Sequence, residues 1–381
     1  MWYLNLNAVA ALCGMAAALA LTRFWPHNKR VLTLVFCLGF LYVFSKPLFA
    51  FYAVYTALNY AGYVFLCRIG QRRRMWFAVL VAANVAAVAG LRAHGMISIE
   101  QPIILLGLIY NVLKVIDALY FAYYLGKDGQ AGPLDYYNFV LFIPTFTSGP
   151  ILKFRDFLAD AKTPYRVTAE ELESSVKRII AGMFKKIVIV PYMWDVFHRV
   201  LAAPELNTHQ SLFLMVWFYA LIYFDFSGYS DIAIGFGRLM GYNVPENFKK
   251  PFLSPTLTQY WRNWHATLGD WFRDHIFMLV SRKTPSRRTA AGLSMLIMTL
   301  IGLWHGFTWL YLMWGIYHGI LLALENLLNR TTVNKRKVSK TYFYARCLLV
   351  QLCVTAAVIV YSENAETVLR IYRGLLSLPA F

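Results

Sequence analysis

Charge is scarce in this chain, and negative charge is scarcest. Only 15% of the 381 residues are Asp, Glu, Lys or Arg, and 19 acids stand against 37 bases, a formal net charge of +18. Soluble domains carry roughly 25% charged residues, so a freely soluble enzyme is excluded. Cysteine is sparse as well. Cys13, Cys37, Cys67, Cys347 and Cys353 have no short paired spacing, which excludes a disulfide framework or a thiolate metal site and leaves packing as their role. There is no internal repeat, low-complexity tract or glycine-rich nucleotide loop, so solenoids, disordered tails and phosphate-cradling folds are set aside.

What fills the chain is apolar. Hydrophobic residues make up 59% and aromatics 17%. Stretches with the length of a membrane span, about 17 to 25 residues, or somewhat shorter fall near 2–25, 31–46, 48–67, 75–93, 102–125, 136–150, 179–197, 211–241, 256–280, 290–325 and 343–362. They predict an all-α polytopic membrane protein, a single integral membrane domain over 1–381 built from about nine to twelve transmembrane and re-entrant segments. The stretches at 31–46 and 136–150 are closed by Pro47 and by Gly149-Pro150. They are short for a crossing and suit re-entrant or interfacial elements covered by protein. The first span has neither a charged leader nor a small-residue cleavage pattern before Pro26, so it reads as a retained helix.

The basic residues decide topology. Arg72-Arg73-Arg74, Lys153 with Arg155, Lys177-Arg178, Lys185-Lys186, Lys249-Lys250, Arg282-Lys283 with Arg287-Arg288, and Lys335-Arg336-Lys337 lie at helix ends, whereas the loops near 93–101 and 202–210 are nearly uncharged. The positive-inside rule puts the basic ends in the cytoplasm and the amino terminus outside. Snorkelling and contact with anionic lipids account for such flanking cations, so no nucleic-acid partner is expected. The same surface suits an acidic carrier protein or a phosphorylated donor. Thr168-Ala169-Glu170-Glu171 is a capping box that starts an amphipathic surface helix.

Two Trp-His pairs carry the chemical signal. Trp304-His305-Gly306 lies inside an uninterrupted apolar stretch from Ala290 to Leu324, and an imidazole at membrane depth defaults to a functional site facing the bundle interior or a wet cavity. Trp261-Arg262-Asn263-Trp264-His265 is the second pair, on a helix expected to begin at Ser254-Pro255-Thr256 and to carry Trp261, Trp264, Leu268, Trp271 and Phe272 as one stripe. On one unbroken helix His318 stands about 20 Å from His305, so only one of them can serve the site, and mid-span His305 is the candidate. His275 is assigned a structural role for the same reason. Gly302 with Gly306 and Gly315 with Gly319 form small-residue pairs that allow close helix packing. In the block 224–238, Asp225, Asp231 and Arg238 interrupt apolar sequence. They either neutralise one another and cap a helix broken near Gly228, or shape a polar cavity beside a histidine. His265 and His305 lack a recognisable metal-ligand spacing, and no paired broken helices mark a transporter.

As a set, these motifs resemble the membrane-bound O-acyltransferase family. The resemblance rests on Ser148-Gly149-Pro150-Ile151, Phe154-Arg155-Asp156-Phe157, Asp225-Phe226-Ser227-Gly228-Tyr229-Ser230-Asp231, Pro245-Glu246-Asn247-Phe248, Trp261 to His265, Trp271-Phe272-Arg273-Asp274, Gly302 to Gly306 and Trp314-Gly315, in order. It covers about residues 130–325 and is greatest to the bacterial branch that acylates extracytoplasmic polymers. The resemblance implies a ring of helices around a central funnel, a catalytic core at 130–325, His305 as catalytic base and His265 as the second catalytic position. It also implies substrate contacts from Trp261, Asn263, Trp264, Trp304, Asp225, Ser227, Tyr229 and Asp231, with no metal and no permanently bound cofactor. The implied donor is a cytoplasmic thioester, acetyl-coenzyme A or a phosphopantetheine acyl-carrier protein. The implied acceptor is a hydroxyl on an extracytoplasmic polymer or an acyl-relay protein, at a bacterial cytoplasmic membrane. A non-catalytic scaffold for an acylation complex is the alternative.

Overall fold

The computed structural model describes residues 6–25, 27–93, 107–277 and 285–377. Most of the expected loop at 93–101, the Arg282-Lys283 pair and the end of the 256–280 stretch lie outside them. The described chain is helical, with α1 (Leu6–Leu21), α2 (Asn28–Phe44), α3 (Lys46–Arg68), α4 (Arg73–Ala93), α5 (Leu108–Leu125), α6 (Pro133–Leu141), α7 (Phe154–Lys162) and α8 (Ala169–Phe184) in the first half. The second half holds α9 (Val190–Leu201), α10 (Thr208–Leu239), α11 (Leu257–Asn263), α12 (Ala266–Phe272), α13 (Arg287–His305), α14 (Trp309–Leu327), α15 (Lys340–Val358) and α16 (Ala365–Leu376). Five described helical segments are long and apolar enough to cross a membrane: Lys46–Arg68, Arg73–Leu91, Leu108–Gly129, Thr208–Leu239 and Lys340–Ser362. The protein is therefore an all-α, multi-pass membrane protein.

The chain forms two compact units, residues 1–183 with 229–245, and residues 184–228 with 246–381. In the first, α2, α3, α5 and α6 pack on one another and are tied by polar groups with internal partners, as a lipid surrounding requires. Arg30 makes a two-pronged ion pair with Asp135, both bonds 2.6 Å. Tyr55 donates to Asn84, and Asn84 to Asn59, at 3.0 and 2.9 Å between α3 and α4. Buried Lys29 donates to the Asp160 carbonyl, to Thr163 and to the Gly241 carbonyl. The capping box forms as expected: Thr168 Oγ1 accepts from the Glu171 amide at 3.2 Å, and Glu171 accepts from the Thr168 amide at 2.9 Å.

Three sequence expectations are corrected. The stretch from Ala290 to Leu324 is two helices, not one. It breaks at Gly306, and Thr308 caps α14 by accepting from the Tyr311 amide at 3.4 Å, so α13 and α14 fold back as a tight hairpin. The small-residue pairs serve that crossing, with Gly302 against the Tyr311 carbonyl and Gly315 against the backbone of Met298 and Thr299. The region 256–280 is likewise divided, into α11, α12 and a π-helical turn at Arg273–Phe277. Its cap is Thr256, whose hydroxyl accepts from the Gln259 amide, and not Ser254. Finally, α10 runs through Gly228 without a break, and its two aspartates pair with bases on preceding elements. Asp231 pairs with Arg178 at 2.9 Å in the first unit. In the second, Asp225 pairs with Lys186, whose side chain is 1% exposed, on the π-helical turn Lys185–Ile189.

Candidate active site

The break between α11 and α12 creates the site. Helix α11 is anchored at its amino-terminal end, where Glu325 of α14 accepts from the amides of Leu257 and Thr258, each at 2.8 Å; a carboxylate is favourable at the positive end of a helix. The helix stops at Asn263 because the segment 247–249 pairs with it in extended fashion. Lys249 donates to the Asn263 carbonyl and Ala266 to the Asn247 carbonyl, both at 2.9 Å, and Phe248 bridges Trp264. Trp264 is extended, and His265 takes a left-handed conformation at φ 46°. Such a backbone is uncommon for a residue with a Cβ and costs on the order of 1–3 kcal/mol. The surrounding hydrogen bonds hold it there.

The His265 ring is oriented by its neighbours. Nδ1 lies 3.0 Å from Asn247 Oδ1, which also accepts from the hydroxyl of Thr267 at 2.8 Å and its amide at 3.4 Å. Those donors identify the Asn247 atom as the oxygen, so neutral His265 carries its proton on Nδ1 and presents a lone pair on Nε2. Nε2 has no hydrogen-bond partner among the described residues. Phe226 packs edge-on at 4.6 Å and the Trp304 ring lies 6.2 Å away.

His305 is the last residue of α13. Its ring stacks on Tyr311 at 5.6 Å and meets Trp304 edge-on at 4.9 Å and Trp314 at 5.7 Å. Gly306 must be glycine for this approach, since a Cβ would sit 2.6 Å from the Tyr311 ring. His305 Nε2 lies 3.1 Å from the Tyr361 hydroxyl, and Tyr311 donates to Glu363 at 2.7 Å. Because the chain folds back, Trp314 touches both His305 and His318, and Trp261 closes on Trp314 and His318 at 5.4 and 4.9 Å. His318 is therefore packed next to the site, fully buried, and not far along a continuous helix.

A cavity of about 310 Å³ joins these elements. Trp261, Trp264, His265, His305 and Tyr361 line it together with apolar side chains of α10 and α13, and Arg262, Asp270, Arg273, Asn326 and Thr331 supply its polar wall. Of the residues expected to form the site, His265, His305, Trp261 and Trp264 share this cavity. Trp304 lies beside both histidines without being among the lining residues. Asn263 donates to Ser254 Oγ at 3.0 Å. Asp225 is tied to Lys186, and Ser227 accepts from Lys185 at 3.2 Å. Tyr229 and Asp231 belong to the first unit. His275, packed on Trp271, lies 2.8 Å from the carbonyl of that residue. Tyr361, Tyr311 and Asn247 carry no signal of their own in the local sequence, apart from Asn247 within the Pro-Glu-Asn-Phe motif. Among the described residues no cluster of three His, Cys, Asp or Glu side chains is placed to hold a metal.

An all-helical membrane fold in which two histidines line one largely apolar cavity defines the class, an intramembrane site built for group transfer. The profile of MBOAT, the membrane-bound O-acyltransferase family, matches residues 25–362, and the chain belongs to this family. It is similar to the probable alginate O-acetylase AlgI of Pseudomonas fluorescens, with 30% identity over 86% of this chain and 66% of that protein. It is also similar to a teichoic acid D-alanyltransferase of Streptococcus thermophilus, with 36% identity over 53% of this chain and 52% of the other. A peptidoglycan O-acetyltransferase of Helicobacter pylori is 27% identical over 64% of this chain and 47% of its own. The chain thus spans about two thirds of the first of these relatives and about half of the other two.

Proposed function

We propose that this protein is a membrane O-acyltransferase that moves an acetyl or D-alanyl group from a cytoplasmic thioester to a hydroxyl on a cell-envelope polymer, or on a relay protein, outside a bacterial cytoplasmic membrane. The observation that carries the reading is the meeting of His265 and His305 in one cavity. Family membership and the names of the three relatives support it. The catalytic core is residues 130–325 together with the carboxyl-terminal turn that bears Tyr361.

Acyl transfer to an alcohol needs a base for the attacking hydroxyl and a donor for the tetrahedral oxyanion. His305, clamped by Tyr311 and Trp314, is the base. His265, with its Nε2 lone pair directed by Asn247, positions a hydroxyl or amide of the substrates. Trp261 lines the cavity, and its indole N–H has no acceptor among the described residues; it suits the oxyanion. Arg262 on the polar wall fits the phosphate of acetyl-coenzyme A or of a phosphopantetheine arm, whereas Arg273 is paired with Asp270 and Asp274. The basic helix ends favour anionic lipid and an acidic carrier protein at the cytoplasmic face. No permanent cofactor is required, because a thioester arrives already activated.

The test uses purified protein in nanodiscs with labelled acetyl-coenzyme A and, in parallel, labelled D-alanyl carrier protein, and an oligosaccharide acceptor. His305→Ala is expected to lose about 10²–10⁴-fold in transfer, the range for removing a general base. Undiminished transfer by a folded variant removes His305 from the mechanism, whereas no transfer by the wild type leaves the chain as a scaffold.

A further inference from the structure

The base nitrogen of the site already faces a hydroxyl of the protein itself. Tyr361 Oη lies 3.1 Å from His305 Nε2, within the reach expected of a nucleophile and its base. The phenol lines the same cavity. Its ring is fixed edge-on to His305 at 5.0 Å, to Tyr311 at 5.6 Å and to Trp314 at 5.5 Å. The short turn Ile359–Ser362 that carries it ends at Glu363, which takes a left-handed backbone and accepts the Tyr311 hydroxyl at 2.7 Å. Tyr311 stacks on the imidazole. Nucleophile, base and orienting group thus form one connected set.

Resting on the acyltransferase reading, we propose that Tyr361 is the first acceptor of the acyl group, so that transfer proceeds through an acyl-tyrosine on this chain. In the first step the phenol oxygen attacks the thioester carbonyl, and His305 Nε2 takes the phenol proton. The C–S bond breaks, the aryl ester forms, and the imidazolium returns the proton to the departing thiolate. In the second step the acceptor alcohol attacks the aryl ester, and His305 takes its proton. The phenolate leaves and is reprotonated by the same imidazolium, which restores the enzyme. No oxidant, reductant or further reactant enters. A phenol is much closer in acidity to a thiol than an alcohol is, so the aryl ester keeps most of the activation of the thioester. The carrier can then leave before the final acceptor arrives.

The experiment mixes nanodisc-embedded protein with labelled acetyl-coenzyme A and, separately, with labelled D-alanyl carrier protein, without acceptor, and quenches in acid. Release of one equivalent of thiol is expected, with label on the peptide containing Tyr361 that neutral hydroxylamine removes. Adding acceptor should discharge it and give ping-pong kinetics. Tyr361→Phe, at an unchanged melting midpoint, should show no burst, no label and a loss of about 10²-fold or more in transfer. Transfer by Tyr361→Phe within a few-fold of the parent overturns the relay, while inactive His305→Ala keeps the acyltransferase reading intact. Wild-type turnover without labelled Tyr361 also overturns the relay, even if Tyr361→Phe is inactive, and reduces Tyr361 to positioning His305. Absence of transfer from either donor by the wild type defeats the acyltransferase reading itself, and the relay with it.

Discussion

Replacing Gly315 by alanine tests whether the hairpin crossing sets the geometry of the histidine. A Cβ at this position would lie 2.6 Å from the Met298 carbonyl oxygen and 3.0 Å from Thr299 Cα. Both obstacles are backbone, so no side chain can rotate away. Ordinary contact is near 3.5 Å, and α13 and α14 must therefore part by somewhat less than about 1 Å. Alanine is the better helix former by about 1 kcal/mol, while overpacking of this kind costs about 1–3 kcal/mol. The net loss of stability is thus small, between about 0 and 2 kcal/mol. Function is the sharper readout. His305 ends α13 and Trp314 rides on α14, and a misplacement near 1 Å costs on the order of 10²-fold in rate. The control lies on α13, the helix that ends in His305: a Cβ at Gly292 would meet nothing within 4 Å. Gly292→Ala should keep full transfer and gain a little stability. Transfer rate and melting midpoint of both variants in nanodiscs decide the matter. Equal activity in Gly315→Ala and Gly292→Ala would refute the claim that this crossing positions the base.

Two further outcomes follow from the pairs in the second unit. Asn247→Leu removes the acceptor that holds His265 Nδ1 and Thr267, so it should cost about 1–3 kcal/mol and lower transfer more than stability; a calorimetric midpoint measured beside the rate checks both. The Lys186–Asp225 pair should respond unequally, because the lysine side chain is 1% exposed and the aspartate 28%. Asp225→Asn leaves a buried ammonium facing a neutral amide and should cost about 3–5 kcal/mol, whereas Lys186→Met leaves a carboxylate that water reaches and should cost less. Chemical denaturation of both variants gives the comparison, and equal losses would contradict the burial argument.

Membrane character and helical class were legible in composition and pattern, because long continuous apolar runs with few charges satisfy their backbone in lipid as helices, whereas barrel strands alternate. The two Trp-His pairs were legible for the same reason, since an imidazole in an apolar run is too costly to be incidental. The capping box at Thr168 could be read directly, because capping is local and its partners lie three residues apart. Thr308 before Trp309 was a cap signal of the same kind. The long apolar run on either side of it masks that signal, and with it the hairpin break at Gly306.

What only the folded chain decided were the pairings over long separations. Asp225 and Asp231 were legible as charges needing partners, yet their partners are Lys186 and Arg178 on preceding elements. His305 and Tyr361 are brought together by the return of α15, and His265 and Asn247 by an extended pairing between two loops. Residue type and local periodicity determine which groups cannot remain unsatisfied in an apolar medium. Which groups satisfy them depends on where distant helices pass, and that is fixed by packing across the whole unit, which no short window of sequence contains.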